Sequence, residues 1–193
     1  RETLSQLTRA LRALHEAGKL HRDLKPSNIM VTDAGRCVLL DFGLVAELNP
    51  AQINKRSNAR LAGTAVYMPP EAGDSASIGR PSDWYSYGVM LYEALTGQRP
   101  FDGGLVEVMQ QKRSEDPAHP SELAAGLPPD LTDLCMQLLS RNPSARPRAA
   151  DVLAVLGDRR PGSRVRSRQK TRSSDPFVGR EAETALLLQA LDD

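Results

Sequence analysis

The stretch HRDLKPSN (21–28) sets an acid, a lysine and an asparagine within a few residues of one another, and DFG follows at 41–43. Those residue types at that spacing suit phosphoryl transfer from a nucleotide, a reaction that depends on positioning and charge neutralisation more than on covalent chemistry. A carboxylate must orient the acceptor hydroxyl and take its proton; Asp23 can do so. A cation must meet the charge on the transferred group, and Lys25 stands two residues on. Mg²⁺ asks for hard oxygen ligands and takes only one or two from the protein. Asn28 can supply one and Asp41 the other, provided the chain between them folds back on itself.

The elements that must do this positioning are legible in outline. Leu4, Leu7, Leu11 and Leu14 recur at helical spacing and Gly18 can stop a helix, which predicts a helix over 2–17. The apolar runs at 29–31 and 37–40 flank TDAGR. Asp33 and Gly35 make that a turn, so the pair predicts a small β-hairpin that returns Asp41 toward Asn28. A long stretch with little periodicity follows, up to about Gly79, and loops of that length are usually functional or disordered. DWYSYGVMLYEALTG (83–97) is apolar on nearly every face, as in a buried helix, and Gly97 ends it. Further helices are expected near 104–112, 130–140 and 147–156. The expected fold class is mainly α (α+β overall).

HRDLKPSN followed by DFG resembles the catalytic and metal-binding loops of a protein kinase. The ordered set continues: GTAVYMPPE (63–71) resembles the end of an activation segment, DWYSYG (83–88) the start of the central buried helix, and TGQRPF (96–101) and RNPSARP (141–147) later landmarks. The likeness covers about 1–156, most of a kinase C-lobe, of the bacterial eukaryotic-like Ser/Thr type. It implies that Asp23 is the catalytic base, that Lys25 contacts the transferred phosphate of ATP, and that Asn28 and Asp41 bind Mg²⁺. Lys25 and Thr64 are both Ser/Thr-kinase traits, so the implied partner is a protein substrate with an acceptor Ser or Thr. Glu71 and Arg146 would form a buried ion pair anchoring the activation segment, and Asp83 would hold the catalytic loop from beneath. Bland rivals stand beside these roles: Asp83 as a helix N-cap only, Arg146 as a surface residue, Asn28 as a turn residue. His21 reads as a packing residue and Cys37 as a buried strand residue.

Departures from the pattern matter. Pro69 replaces the usual small residue before Pro-Glu. Arg22 suits pairing with a phosphorylated activation segment, yet LVAEL after DFG lacks the second basic residue that often accompanies it. Ser57 and Thr64 are the candidate hydroxyls for such a modification, and Ser57 is favoured because Thr64 is committed to the catalytic loop. Two other functions compete: a small-molecule phosphotransferase, which usually lacks the Lys25 and GT…YMPPE features, and a pseudokinase scaffold, which an altered Asp23, Asn28 or Asp41 would have favoured.

Composition narrows the rest. The 193 residues are 40% hydrophobic and 25% charged with a net charge of +1, which is ordinary for a globular protein and gives no general reason to expect nucleic acid or an anionic membrane. Cys37 and Cys135 stand in unrelated contexts, against a disulfide framework or zinc site and in keeping with a reducing, cytoplasmic setting. No apolar run is long enough to span a membrane. From Gly157 the composition changes: five Arg and one Lys lie between Arg160 and Arg172 with almost no apolar side chain, so 157–175 reads as a basic disordered linker. An RNA- or membrane-binding arm would want interleaved aromatics, which are missing. PFVGREAE then resembles the opening of a P-loop ATPase module, so 176–193 reads as the start of a further domain with a short helix. The chain opens as if inside a helix and holds no GxGxxG loop and no VAIK-like strand. It reads as a fragment expected to bind ATP no better than millimolar and to be inactive alone. The oligomeric state is open.

Overall fold

The computed structural model describes residues 1–40, 65–73 and 77–157. The chain divides into two units, Arg1–Arg159 and Arg160–Asp193. The second lies outside the described residues, and with it the expected linker, C-terminal helix and ATPase module; so do Asp41, Phe42, Ser57 and Thr64.

Among the described residues the fold is mostly helical, with one two-stranded sheet. Helix α1 (Glu2–Glu16) turns Leu7 and Leu11 into the core, and Leu4 and Leu14 pack partly against it. It ends where Gly18 adopts φ 73°, a left-handed conformation that glycine accepts without a Cβ clash. The 3₁₀ turn Pro26–Asn28 leads straight into β1 (Ile29–Val31), which pairs antiparallel with β2 (Cys37–Leu39) in the register Ile29↔Leu39, Met30↔Val38 and Val31↔Cys37. Helix α1 holds the hairpin at its turn: Gln6 Nε2 donates to the Gly35 carbonyl (3.1 Å) and Gln6 Oε1 accepts from the Cys37 N–H (2.9 Å). Cys37 is part-buried rather than fully buried, because it packs against the margin of the core cluster and not within it.

Helix α2 (Arg80–Thr96) is the axis of the core. It begins three residues earlier than its apolar run suggests. Gly79 is the N-cap, Pro81 fits the first turn, where a missing N–H costs nothing, and Ser82 Oγ accepts from the Gly79 N–H (3.1 Å). Its apolar-all-round sequence is matched by burial from Ser82 to Val89, and again at Leu91 and Tyr92. Gly88 faces helix α5 (Pro129–Leu138), where a Cβ on residue 88 would stand 2.7 Å from Leu138 Cβ, so glycine lets the two helices approach. Helices α3 (Leu105–Ser114) and α6 (Ala149–Val155) fall near their expected positions. Between α3 and α5 lies a single-turn helix, α4 (Pro120–Leu123), too short to show any periodicity; His119 caps it by accepting from the Ser121 N–H.

Candidate functional site

The loop 21–28 is held by one carboxylate. Asp83, in the first turn of α2, is 1% exposed. Its Oδ1 accepts from the Arg22 N–H (2.8 Å), and its Oδ2 accepts from the His21 N–H (2.9 Å) and lies 2.7 Å from His15 Nε2. Helix capping is therefore not what this side chain does; its bonds go to the loop and to α1. Arg22 itself adopts φ 65°, a left-handed conformation uncommon for a residue with a Cβ. Sequence reasoning misses His15. The available signal is its place four residues after Leu11 on the buried face of α1. It also meets Trp84 edge-on, with ring centroids 5.9 Å apart.

Beyond Arg22 the loop presents Asp23, Lys25 and Asn28 together. Lys25 Nζ lies 2.8 Å from Asp23 Oδ2. Asn28, carried by the 3₁₀ turn, donates from Nδ2 to the Asp23 carbonyl (2.7 Å) and to Asp23 Oδ2 (3.1 Å). Lys25 and Asn28 thus converge on one carboxylate oxygen. With its amide nitrogen spent on Asp23, Asn28 has its Oδ1 as the oxygen available to a hard cation, and the donor set fits Mg²⁺, which needs few protein oxygens beside those of a phosphate. The hairpin closes on the same place: Leu40, the residue before Asp41, donates its N–H to the Asn28 carbonyl (2.8 Å), and its carbonyl lies 3.0 Å from His21 Nε2. His21 is fully buried.

A second cluster holds residues 65–73. Arg146 and Glu71 form a two-pronged ion pair, Nη1–Oε1 at 2.7 Å and Nη2–Oε2 at 2.9 Å. The Arg146 side chain is 0% exposed, which rules out a surface role. It also donates to the carbonyls of Ser140 (2.8 Å) and Pro81 (2.9 Å), its guanidinium carbon stands 4.9 Å from the Tyr85 ring centroid, and Ser82 Oγ donates to Glu71 Oε1 (2.9 Å). Burial alone would push the Glu71 carboxyl up, but the bond to Arg146 and its charge, with help from a backbone bond and Ser82, outweigh it and hold Glu71 below the usual carboxylate value.

Lys112, on α3, is likewise missed by sequence reasoning. It is fully buried, with Nζ donating to the carbonyls of Ala65 (3.0 Å), Val66 (2.7 Å) and Met68 (2.6 Å). Burial pushes its ammonium down to about 7, while the three carbonyls take up the three protons of the charged form. Lysine is ordinarily assigned to solvent, yet Lys112 stands four residues after Val108, which is also fully buried.

Against known proteins, residues 1–155 match the family model described as "Protein kinase domain". The chain belongs to the protein kinase family. It is similar to the serine/threonine-protein kinase PknA of Mycobacterium tuberculosis (strain ATCC 25618 / H37Rv), 37% identical over 165 residues, covering 83% of this chain and 37% of that kinase. PknB of the same strain is 37% identical over 157 residues, covering 80% of this chain and 25% of that kinase. Among solved structures, the twitchin kinase region from C. elegans is 30% identical with a TM-score of 0.66, over 79% of this chain and 27% of that one. The kinase sequence here thus spans about a third of PknA and a quarter of PknB. The mostly helical architecture with its small hairpin agrees with this kinase-like fold. Among the described residues, no helix of this kinase chain is long and apolar enough to cross a membrane.

Proposed function

We propose that this chain carries the acceptor-side half of a cytoplasmic Ser/Thr protein kinase, which transfers the γ-phosphoryl group of ATP to a protein hydroxyl. The observation that carries the reading is the geometry around Asp23. Lys25 and Asn28 both bind its Oδ2, which orients the carboxylate and leaves Oδ1 to accept the proton of the incoming serine or threonine hydroxyl. That hydroxyl oxygen bonds to the γ-phosphorus, the bond from phosphorus to the β–γ bridging oxygen breaks, and ADP leaves. Lys25, beside the base, neutralises charge on the group in flight. Asn28 Oδ1 and Asp41 are the residues that would hold Mg²⁺, which when bound supplies charge neutralisation at the phosphates. Thr64 would tie the activation segment to Asp23 and Lys25. The Glu71–Arg146 pair keeps the later part of that segment in place for a peptide to dock, and Arg22 and Ser57 would serve regulation by phosphorylation. The glycine-rich loop and the lysine–glutamate pair that kinase catalysis also requires are not among these residues, so these 193 residues alone are expected to transfer nothing measurable.

The test is a radiolabel assay with Mg-ATP on the full-length protein. Asp23→Asn is expected to reduce turnover at least a thousandfold while the thermal transition stays within a few degrees of the parent. An Asp23→Asn protein with parental turnover would overturn the role of Asp23, and phosphotyrosine as the main product would overturn the Ser/Thr assignment.

A further inference from the structure

Residues 65–70 form almost no regular backbone structure: their one internal hydrogen bond among the described residues runs from the Met68 N–H to the Ala65 carbonyl (3.1 Å). Five of their six carbonyls are taken by side chains of two helices, and the sixth, that of Pro69, accepts from the Ala72 N–H (3.0 Å). Lys112 Nζ takes those of Ala65, Val66 and Met68. Ser86 Oγ donates to that of Tyr67 (2.8 Å) and Arg113 Nε to that of Pro70 (3.3 Å). The Tyr67 hydroxyl donates to Glu93 Oε2 (2.6 Å), which fixes the one large side chain of the stretch to α2. Lys112 thus serves three of the five carbonyls from one atom, and it also stands 5.4 Å from the centroid of the Tyr85 ring, the ring that Arg146 contacts as well.

A buried carbonyl without a donor is costly, so the path of the chain here follows the position of the ammonium. We infer that Lys112 is a positioning residue for the acceptor protein: it sets the shape of the 65–70 segment on which a substrate peptide docks and so makes helix α3 part of the peptide-selection apparatus. This rests on the kinase reading above. Lys112 lies in a different element from the Asp23–Lys25–Asn28 group, so its removal acts on how the peptide is held more than on the transfer itself.

The experiment compares the full-length protein with its Lys112→Met and Lys112→Gln variants. Lys112→Met removes all three donors, and Lys112→Gln keeps a shorter amide with two. Steady-state kinetics with a fixed peptide substrate should show the peptide KM raised at least tenfold in Lys112→Met, with Lys112→Gln between, while the ATP KM stays within twofold and kcat within threefold. Hydrogen exchange at the amides of 65–68 should speed up at least tenfold in Lys112→Met. Should that variant fail to fold, Lys112→Gln carries both measurements. Parental peptide KM together with parental exchange overturns this inference and leaves the kinase reading standing. A parent protein that transfers no phosphate overturns the kinase reading, and with it the peptide role of Lys112. A peptide KM and an ATP KM that rise by the same factor also overturn it, because that is the mark of a general loosening.

Discussion

Two irregular segments pack against helix α2, and each is held by a buried charge of opposite sign. The 21–28 loop rests on a carboxylate, Asp83, which collects backbone N–H groups. The 65–70 segment rests on an ammonium, Lys112, which collects backbone carbonyls. In both, the buried charge is offset by backbone dipoles more than by a full counter-charge. The two solutions differ in how replaceable they are. An amide has one proton and no alternative once its acceptor is lost, whereas a carbonyl has two lone pairs and can accept elsewhere; the Ala65 carbonyl already accepts from the Met68 N–H as well. The Asp83 site is therefore the more brittle of the two, and the 65–73 region gains its rigidity from a further device, the Glu71–Arg146 pair.

The largest effect is expected where that device is broken. Glu71→Gln leaves the guanidinium of Arg146 buried without its counter-charge, at a cost of about 3–5 kcal/mol at neutral pH, read as a lower urea midpoint. Acid should erode the difference. Because the folded state holds Glu71 below its ordinary value, the unfolded chain binds the proton more readily. The stability this carboxylate contributes is present in full above the ordinary glutamate pKa, about 4.3, and is lost as pH falls from there through the depressed folded value. Parent and variant should converge over that window, and a gap that stays constant down to the acid limit would show that the charge is not what matters.

Next comes Asp83→Asn. It keeps the size and one acceptor oxygen but must turn an NH₂ toward either the His21 or the Arg22 amide, or toward His15. A cost of about 2–3 kcal/mol is expected for losing hydrogen bonds to a charged group. Lys112→Met should cost less in stability than this. The reverse order would break the contrast between one-proton amides and two-lone-pair carbonyls.

The same contrast explains what can be read without a structure. Asp83, Glu71 and Arg146 occupy positions in ordered motifs, so a resemblance points to them. The hairpin and the long helices carry their own periodicity. Lys112 and His15 have no motif. A polar residue on the buried face of a helix looks like an ordinary interruption of the apolar stripe until its partners, 47 and 68 residues distant in the chain, are known. The start of α2 precedes its apolar run because Arg80, Pro81 and Ser82 carry no apolar periodicity; Pro81 and Ser82 instead suit a helix start, Ser82 by accepting from the Gly79 N–H. Helix α4 is one turn long and has no period to detect. The glycine at position 88 is explained only by the approach of Leu138, from a helix some 50 residues on.

The smallest effect tests whether Asp83 does more than accept bonds. Arg22 is held at φ 65°, a conformation that costs a residue with a Cβ about 1–2 kcal/mol. Something must hold it there, and the bond from the Arg22 N–H to Asp83 Oδ1 is the contact in position to do so. Arg22→Ala and Arg22→Gly both delete the guanidinium, so comparing the two removes the side chain from the question. Glycine relieves the strain but gives the unfolded chain more freedom, worth about 0.5–1 kcal/mol in the other direction. The net expectation is that Arg22→Gly is more stable than Arg22→Ala by about 0.5–1 kcal/mol in urea denaturation. In an Asp83→Ala background, which leaves no acceptor oxygen, the loop is released from that bond, and an alanine at position 22 is free to leave the left-handed region, so the glycine advantage should shrink to zero or reverse. An advantage that survives the Asp83→Ala change undiminished would mean that other contacts impose the twist, and that Asp83 merely accepts from a loop already shaped without it.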